Sequence, residues 1–192
     1  MGKLIQLAST FVRPADNTAY SAGDEISNHA TAGSVVRSTF DLTGYGRGRI
    51  LRAGVDITPA SGNLVITALD FDLLIFKTSD VPAAVGDNVT HPISAAVRRL
   101  AIGQFRFDAD GWTNQLGALT AGTSGYQKVP NTLSLALATP ALVHSDGSNF
   151  TFDGSALSTA GRQLTAVLQV LAAWTPTGVV NTFGIVLDIE AE

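Results

Sequence analysis

Hydrophobic and polar residues alternate along most of the chain, the signature of strands with one buried and one wet face. At the C-terminus, Phe183, Ile185, Leu187 and Ile189 share one face, and Thr182, Gly184, Asp188 and Glu190 the other. Leu51, Ala53, Val55 and Ile57 alternate over 49–57, and Phe105 and Phe107 stand opposite Gln104 and Arg106 over 101–107. Over 64–77, Val65, Leu69, Phe71, Leu73 and Ile75 share a parity, with Asp70 and Asp72 on a solvated face. Residues 162–174 fit two periods. Leu164, Leu168, Val170, Ala172 and Trp174 make a strand face, while Leu164, Val167, Leu168 and Leu171 make a helical stripe. The short turn Thr175-Pro176-Thr177-Gly178 then favours a strand hairpinned onto the last one.

Turn chemistry separates these runs at Pro59-Ala60-Ser61-Gly62, Asp110-Gly111, Asp146-Gly147 and Asp153-Gly154. Short strands at this spacing predict an all-β sandwich or barrel. Ile93 to Arg99 suits a short helix or an irregular loop equally. The first 24 residues stand apart as an N-terminal arm or leading strand, extended through Thr10-Phe11-Val12-Arg13-Pro14 because a residue before proline avoids the helical region. Residues 25–192 form a single β-sandwich domain.

Composition narrows the function. With 192 residues, 45% of them apolar and 15% charged, the chain can bury a sizeable core. A net charge of −4 argues against a nucleic-acid partner, which needs a surplus of cations to neutralise phosphate. Of the 12 basic residues only Lys3, Lys77 and Lys128 are lysine; arginine is the cation suited to partly buried interfaces. No cysteine is present, so disulfide and thiolate chemistry are excluded. No apolar run reaches transmembrane length and no secretory leader is evident.

Candidate chemistry is sparse. His29, His91 and His144 have no partner at metal-ligand spacing and read as surface or turn histidines. A G-x-S-x-G elbow is absent. The oxygen-rich stretch Asp146 to Asp153 lacks the order of a calcium loop and reads as two β-turns flanking a short strand. Gly44-Tyr45-Gly46-Arg47-Gly48-Arg49 lacks the context of a phosphate loop and reads as an inter-strand loop, with Arg47 and Arg49 able to meet an acidic protein surface. Trp174 belongs with the core. Trp112, after Asp110-Gly111, is a candidate exposed aromatic. These readings imply no enzyme activity, no cofactor and no metal.

Three segments carry a family resemblance. Phe11-Val12-Arg13-Pro14-Ala15-Asp16-Asn17-Thr18-Ala19-Tyr20-Ser21-Ala22-Gly23-Asp24 is similar to an RPADTTAYAAGD opening of small tailed-phage virion proteins. Gly46 to Leu51, Asp70 to Phe76 and Gly86-Asp87-Asn88 follow, and then Leu168 to Gly178 before a last strand with an acidic end. Arg98-Arg99 and the 109–132 stretch depart from the pattern. Taken together the segments resemble the bacteriophage head decoration, or cement, proteins. The resemblance implies a jelly-roll-like domain that is made in the host cytoplasm and binds the major capsid protein on the capsid surface, commonly as a homotrimer. It implies no catalytic residue and no membrane partner. Phe11, Arg13, Tyr20, Arg47, Arg49 and Trp112 are the candidate interface residues. The alternatives are a receptor- or carbohydrate-binding module of a tail or fibre, which requires exposed Trp112 and Tyr126, and another tail or neck structural protein.

Overall fold

A computed structural model describes residues 2–45, 47–60, 69–109, 112–114, 125–130, 151–153, 163–176 and 178–191. In chain order the strands are β1 (Lys3–Arg13), β2 (Asp24–Ile26), β3 (Thr39–Asp41), β4 (Arg47–Pro59), β5 (Phe71–Lys77), β6 (Val89–Thr90), β7 (Ala101–Phe107), β8 (Thr113–Asn114), β9 (Gly125–Pro130), β10 (Thr151–Asp153), β11 (Gln163–Val170) and β12 (Asn181–Ala191). The one α-helix among the described residues, α1 (Ala95–Arg98), is capped by Ser94, whose Oγ accepts from the Val97 N–H.

The strands form two antiparallel sheets. Sheet one runs β1-β12-β4-β9-β8, with β10 also on β4, and sheet two runs β6-β2-β11-β5-β7, with β3 also on β11. The pairing is nested. β1 pairs with β12, β2 with β11, β4 with β9 and β5 with β7, so the first main strand meets the last, the second meets the next to last, and so on inward. Successive pairs go to alternate sheets, and the contacts β12–β4 and β11–β5 join them. A long antiparallel ribbon rolled up in this way is a jelly roll. The all-β, jelly-roll-like fold is therefore as expected.

Residues 3–13 are part of it. All eleven residues of β1 pair with β12, from Lys3 opposite Ala191 to Arg13 opposite Asn181. The stretch is a leading strand, with Phe11 and Arg13 turned inward. Residues 163–170 are the expected strand, but the hairpin is not formed. β11 lies in sheet two and β12 in sheet one, so residues 171–180 cross between the sheets.

Two bulges shift the expected parity. Asp188 faces Arg52 and Ile189 faces Ile50, so Leu51 is the extra residue on β4. Ile50 thereby joins Ala53, Val55 and Ile57 in the core in place of Leu51. Likewise Ile75 faces Gly103 and Phe76 faces Ala101, which leaves Ile102 as the extra residue on β7.

The main core lies between the sheets, with Phe71, Phe105, Phe107, Phe183, Ile185 and Leu187 among its members. Each such side chain contributes about 1.5–3 kcal/mol by leaving water. A second apolar group, Leu74, Phe76, Ala101 and Val167, sits on the far face of sheet two under Val81, Ile93 and Val97. Sheet two is thus covered on both faces, the outer cover being the segment that carries α1.

Candidate functional site

Four of the six candidate interface residues point into the molecule. Phe11 is buried and stacks on Phe183, with ring centroids 5.1 Å apart. Trp112 is buried against Phe71 and Phe107, and its Nε1–H donates to the Leu69 carbonyl at 3.0 Å. It follows a turn in sequence, yet the hydrophobic gain of a large ring outweighs exposure once its one polar atom has an acceptor. An exposed Trp112 was the requirement of the carbohydrate-module alternative; the Tyr126 side chain lies outside the described residues.

Arg13 and Tyr20 are also buried, and they meet. Arg13 is 0% exposed. Its Nε donates to Tyr20 Oη at 2.5 Å, its Nη1 to the Pro14 carbonyl at 3.0 Å, and its Nη2 to Asp16 Oδ1 at 2.9 Å. Tyr20 Oη donates onward to Asp87 Oδ1 at 2.7 Å, an atom that also accepts from the Ser27 N–H at 2.8 Å. Asp87 Oδ2 stands 3.5 Å from Arg13 Nε, a charge contact with no hydrogen bond. The guanidinium also lies over the rings of Tyr20 and Trp174, which stack 5.2 Å apart. Backbone bonds in both directions between Tyr20 and Trp174 complete the clamp. A buried charge costs several kcal/mol unless it is paired and hydrogen-bonded, and each nitrogen of the Arg13 guanidinium has an acceptor in Tyr20, Pro14 or Asp16.

The loop that presents Asp87 needs its glycine. Gly86 has φ +105°, and a Cβ there would collide with the Ala30 carbonyl. Burial pushes the Tyr20 hydroxyl pKa well above its ordinary value, with Asp87 adding to the effect. Burial also raises the Asp87 carboxyl, against the bonds from Ser27 and Tyr20 and the nearby charge of Arg13. Arg13, Tyr20 and Asp87 are all buried, so this is a structural lock at one end of the sandwich. It ties together the β1–β2 connection, residues 85–88 and the crossover after β11.

Sheet two carries two more polar groups where plain solvent-facing residues were expected. His91 is buried, with Nδ1 2.8 Å from Glu25 Oε2, and Arg37 holds the same carboxylate through two 2.8 Å bonds. Burial pushes the Glu25 carboxyl up; the His91 ring and the Arg37 guanidinium more than reverse this and hold it below its ordinary value. Asp72 is buried rather than solvated. It accepts from Arg98 Nη1 at 2.9 Å, Gln104 Nε2 at 3.1 Å and Arg106 Nε at 3.1 Å, and it raises the Arg106 pKa. Arg98 Nη2 also donates to Gln169 Oε1 at 2.6 Å. Alternation put Asp72 outward correctly; the cover built by residues 78–100 then closed over it. Asp70 accepts the Ala109 N–H.

Among the described residues, exposed side chains lie along the outer face of sheet one. Its cross-strand rows are Leu4–Glu190–Arg49, Gln6–Asp188–Arg52, Ala8–Val186–Gly54, Thr10–Gly184–Asp56 and Val12–Thr182–Thr58. Arg49 Nε bonds Glu190 Oε2 at 2.6 Å; Arg52 Nε lies 3.1 Å from Asp188 Oδ2, whose other oxygen accepts from Gln6 at 3.0 Å. Both arginines remain about half exposed, and Leu4 and Val12 are 72% and 50% exposed. Asp56 lies over Gly184, where a Cβ would sit 2.5 Å from Oδ1, and burial raises its carboxyl pKa. Arg49 is therefore the candidate residue that faces solvent. Arg47 lies on β4 with its side chain outside the described residues. This charged end of sheet one is about 30 Å from the Arg13 lock, at the rise of roughly 3.3 Å per strand residue.

Arg52, Gln6 and the acidic pair were not singled out by sequence; the signal was available in the acidic alternation of β12 but needed the β4 register. His144 lies outside the described residues, as do the side chains of the Asp146–Asp153 stretch. Among the described residues no group of three or more His, Asp or Glu could hold a metal ion, and no helix is long and apolar enough to cross a membrane.

No family model matches the chain, and no curated protein matches it. Among solved structures, a decameric BFDV capsid protein is 12% identical at a TM-score of 0.32, with 99% of each chain covered. A structure of sacbrood virus of honeybee is 12% identical at 0.34, covering all of this chain and 76% of that one. A CocE/NonD family hydrolase from Staphylococcus aureus is 5% identical at 0.37, covering 98% of this chain and 37% of the hydrolase. At such scores these likenesses carry no weight, and the assignment of the fold rests on the nested strand order.

Proposed function

We propose that this chain is a structural protein of a bacteriophage particle that binds the assembled capsid and stabilises it, as a decoration or cement protein. The observation that carries the reading is the meeting of the three resemblance segments in one place. Arg13, Asp16 and Tyr20 come from the opening segment, Asp87 from the second and Trp174 from the third, and all belong to a single buried lock. A resemblance made of scattered chance matches would not converge in this way. It supports kinship of a whole domain, and the jelly-roll order agrees with the fold that the resemblance implies.

The work proposed is passive. A rigid domain bound where subunits of the major capsid protein meet stabilises their native arrangement by mass action. The resemblance also favours a homotrimer, in which three weak contacts act together. The open face of sheet one, with Arg49 and Arg52, is the proposed contact surface, facing a mixed-charge patch of the shell. The test is co-sedimentation with mature and immature shells that lack the protein. Binding to at least one is expected, with loss on Arg49→Glu combined with Arg52→Glu. A folded wild-type protein that binds neither shell overturns the proposal.

A further inference from the structure

Strand β1 has an unused side. It pairs along its whole length with β12, and among the described residues no other strand pairs with it. The strand is eleven residues long, free of bulges, and has no proline. Long open edges of this kind are templates for pairing unless they are blocked. The only lysine of β1 is Lys3, at one end.

The strand is also complementary to itself. Its midpoint is Ala8, so an antiparallel pairing of two copies about Ala8 uses every residue from 3 to 13. In that register Leu4 meets Val12 of the second copy, Gln6 meets Thr10, and Ala8 meets Ala8. Leu4 and Val12 are two of the five exposed large hydrophobic residues of the chain's described part, and this register places them against each other. Between them come a pair of hydrogen-bonding side chains and, on the axis, the smallest side chain of the row. Shifting by two residues in either direction sets Leu4 against Thr10 or Val12 against Gln6. On the inner face, half-buried Ile5 and Leu7 meet Phe11 and Ser9 of the second copy. Lys3 comes opposite Arg13, whose charge Asp16 already answers.

We propose that two copies of this chain join edge to edge through β1, antiparallel about a twofold axis at Ala8, making one sheet continuous across both. Such an interface is isologous and closed, so it yields a defined pair rather than a fibre. The pairing is independent of the particle role. In a threefold group it would leave three β1 edges to link neighbouring groups.

The chain has no cysteine, which makes the test clean. Residues directly opposite on the twofold lie about 4.5–5.5 Å apart at Cα, within the span of a disulfide. Mild oxidation of Ala8→Cys is expected to give a covalent dimer of twice 19.9 kDa, while Thr182→Cys, on the same face but one strand in from the edge, stays uncrosslinked. Leu4→Lys and Val12→Lys, both at exposed positions that do not bear on folding, are expected to weaken self-association at least tenfold by light scattering. Three results overturn the proposal: a wild-type protein that is monomeric at high concentration, an Ala8→Cys protein that does not cross-link, or an edge that pairs only with a strand of another protein.

Discussion

Tyr20 is the hinge of the buried lock, and replacing it with phenylalanine tests the account of that lock most directly. The substitution keeps the ring, its stacking on Trp174 and its contact with the Arg13 guanidinium. It removes one oxygen that accepts from Arg13 Nε and donates to Asp87 Oδ1. Both partners are charged and buried, so each lost bond costs about 1.5–3 kcal/mol. Some compensation remains: Arg13 keeps Asp16 and the Pro14 carbonyl, and Asp87 keeps the Ser27 N–H. The net loss should be about 2–4 kcal/mol, or a fall in Tm of about 5–15 °C for a domain of this size. Thermal and urea unfolding followed by circular dichroism measure it. Tyr45→Phe, on a half-buried tyrosine outside the lock, is the control and should change stability by less than about 0.5 kcal/mol. Asp87→Ala combined with Tyr20→Phe should lose less than the sum of the two, because both remove the Tyr20–Asp87 bond. A Tyr20→Phe protein as stable as the wild type, or strict additivity in the cycle, would refute the reasoning.

Two further outcomes follow from the packing. Glu25 has its carboxyl held below the ordinary value of 4.5, so its contribution to stability is present above that pH and is lost as pH falls through the lower folded value. Glu25→Gln should therefore cost about 3 kcal/mol near neutral pH, with the gap to wild type closing below about pH 4.5; urea midpoints across that range check it. Asp87, raised by burial, runs the opposite way, stabilising below its unfolded value and losing that as pH rises, but it is common to both proteins and cancels. Removal of residues 1–24 takes away β1 and the Arg13–Tyr20 lock, so the truncated chain should be unfolded or insoluble; a soluble product with a near-native melting transition would show that β1 is dispensable.

Period-two alternation was enough to find most of the long strands and to say which side chains point each way, because a strand turns successive residues to opposite faces whatever lies beyond it. Phe183, Ile185, Leu187 and Ile189 are in the core as the pattern requires. The pattern is blind to neighbours. It could not tell that β11 and β12, separated by a short connection, belong to different sheets, since a crossover and a hairpin use the same turn residues. A single extra residue at Leu51 put Arg49 and Arg52 on one face, where strict alternation separates them. Nor could alternation tell that the outward Asp72 would be covered by residues 78–100, or that Arg37 and His91 would close over Glu25, because that cover is decided by packing between segments distant in sequence. The same holds for the opening motif. Its residues looked like an interface because they are polar, aromatic and near the chain's start. Only the closure of β1 onto β12 buried Arg13 and Tyr20 and brought Asp87 and Trp174 to them, turning a recognisable string into the lock that holds one end of the jelly roll.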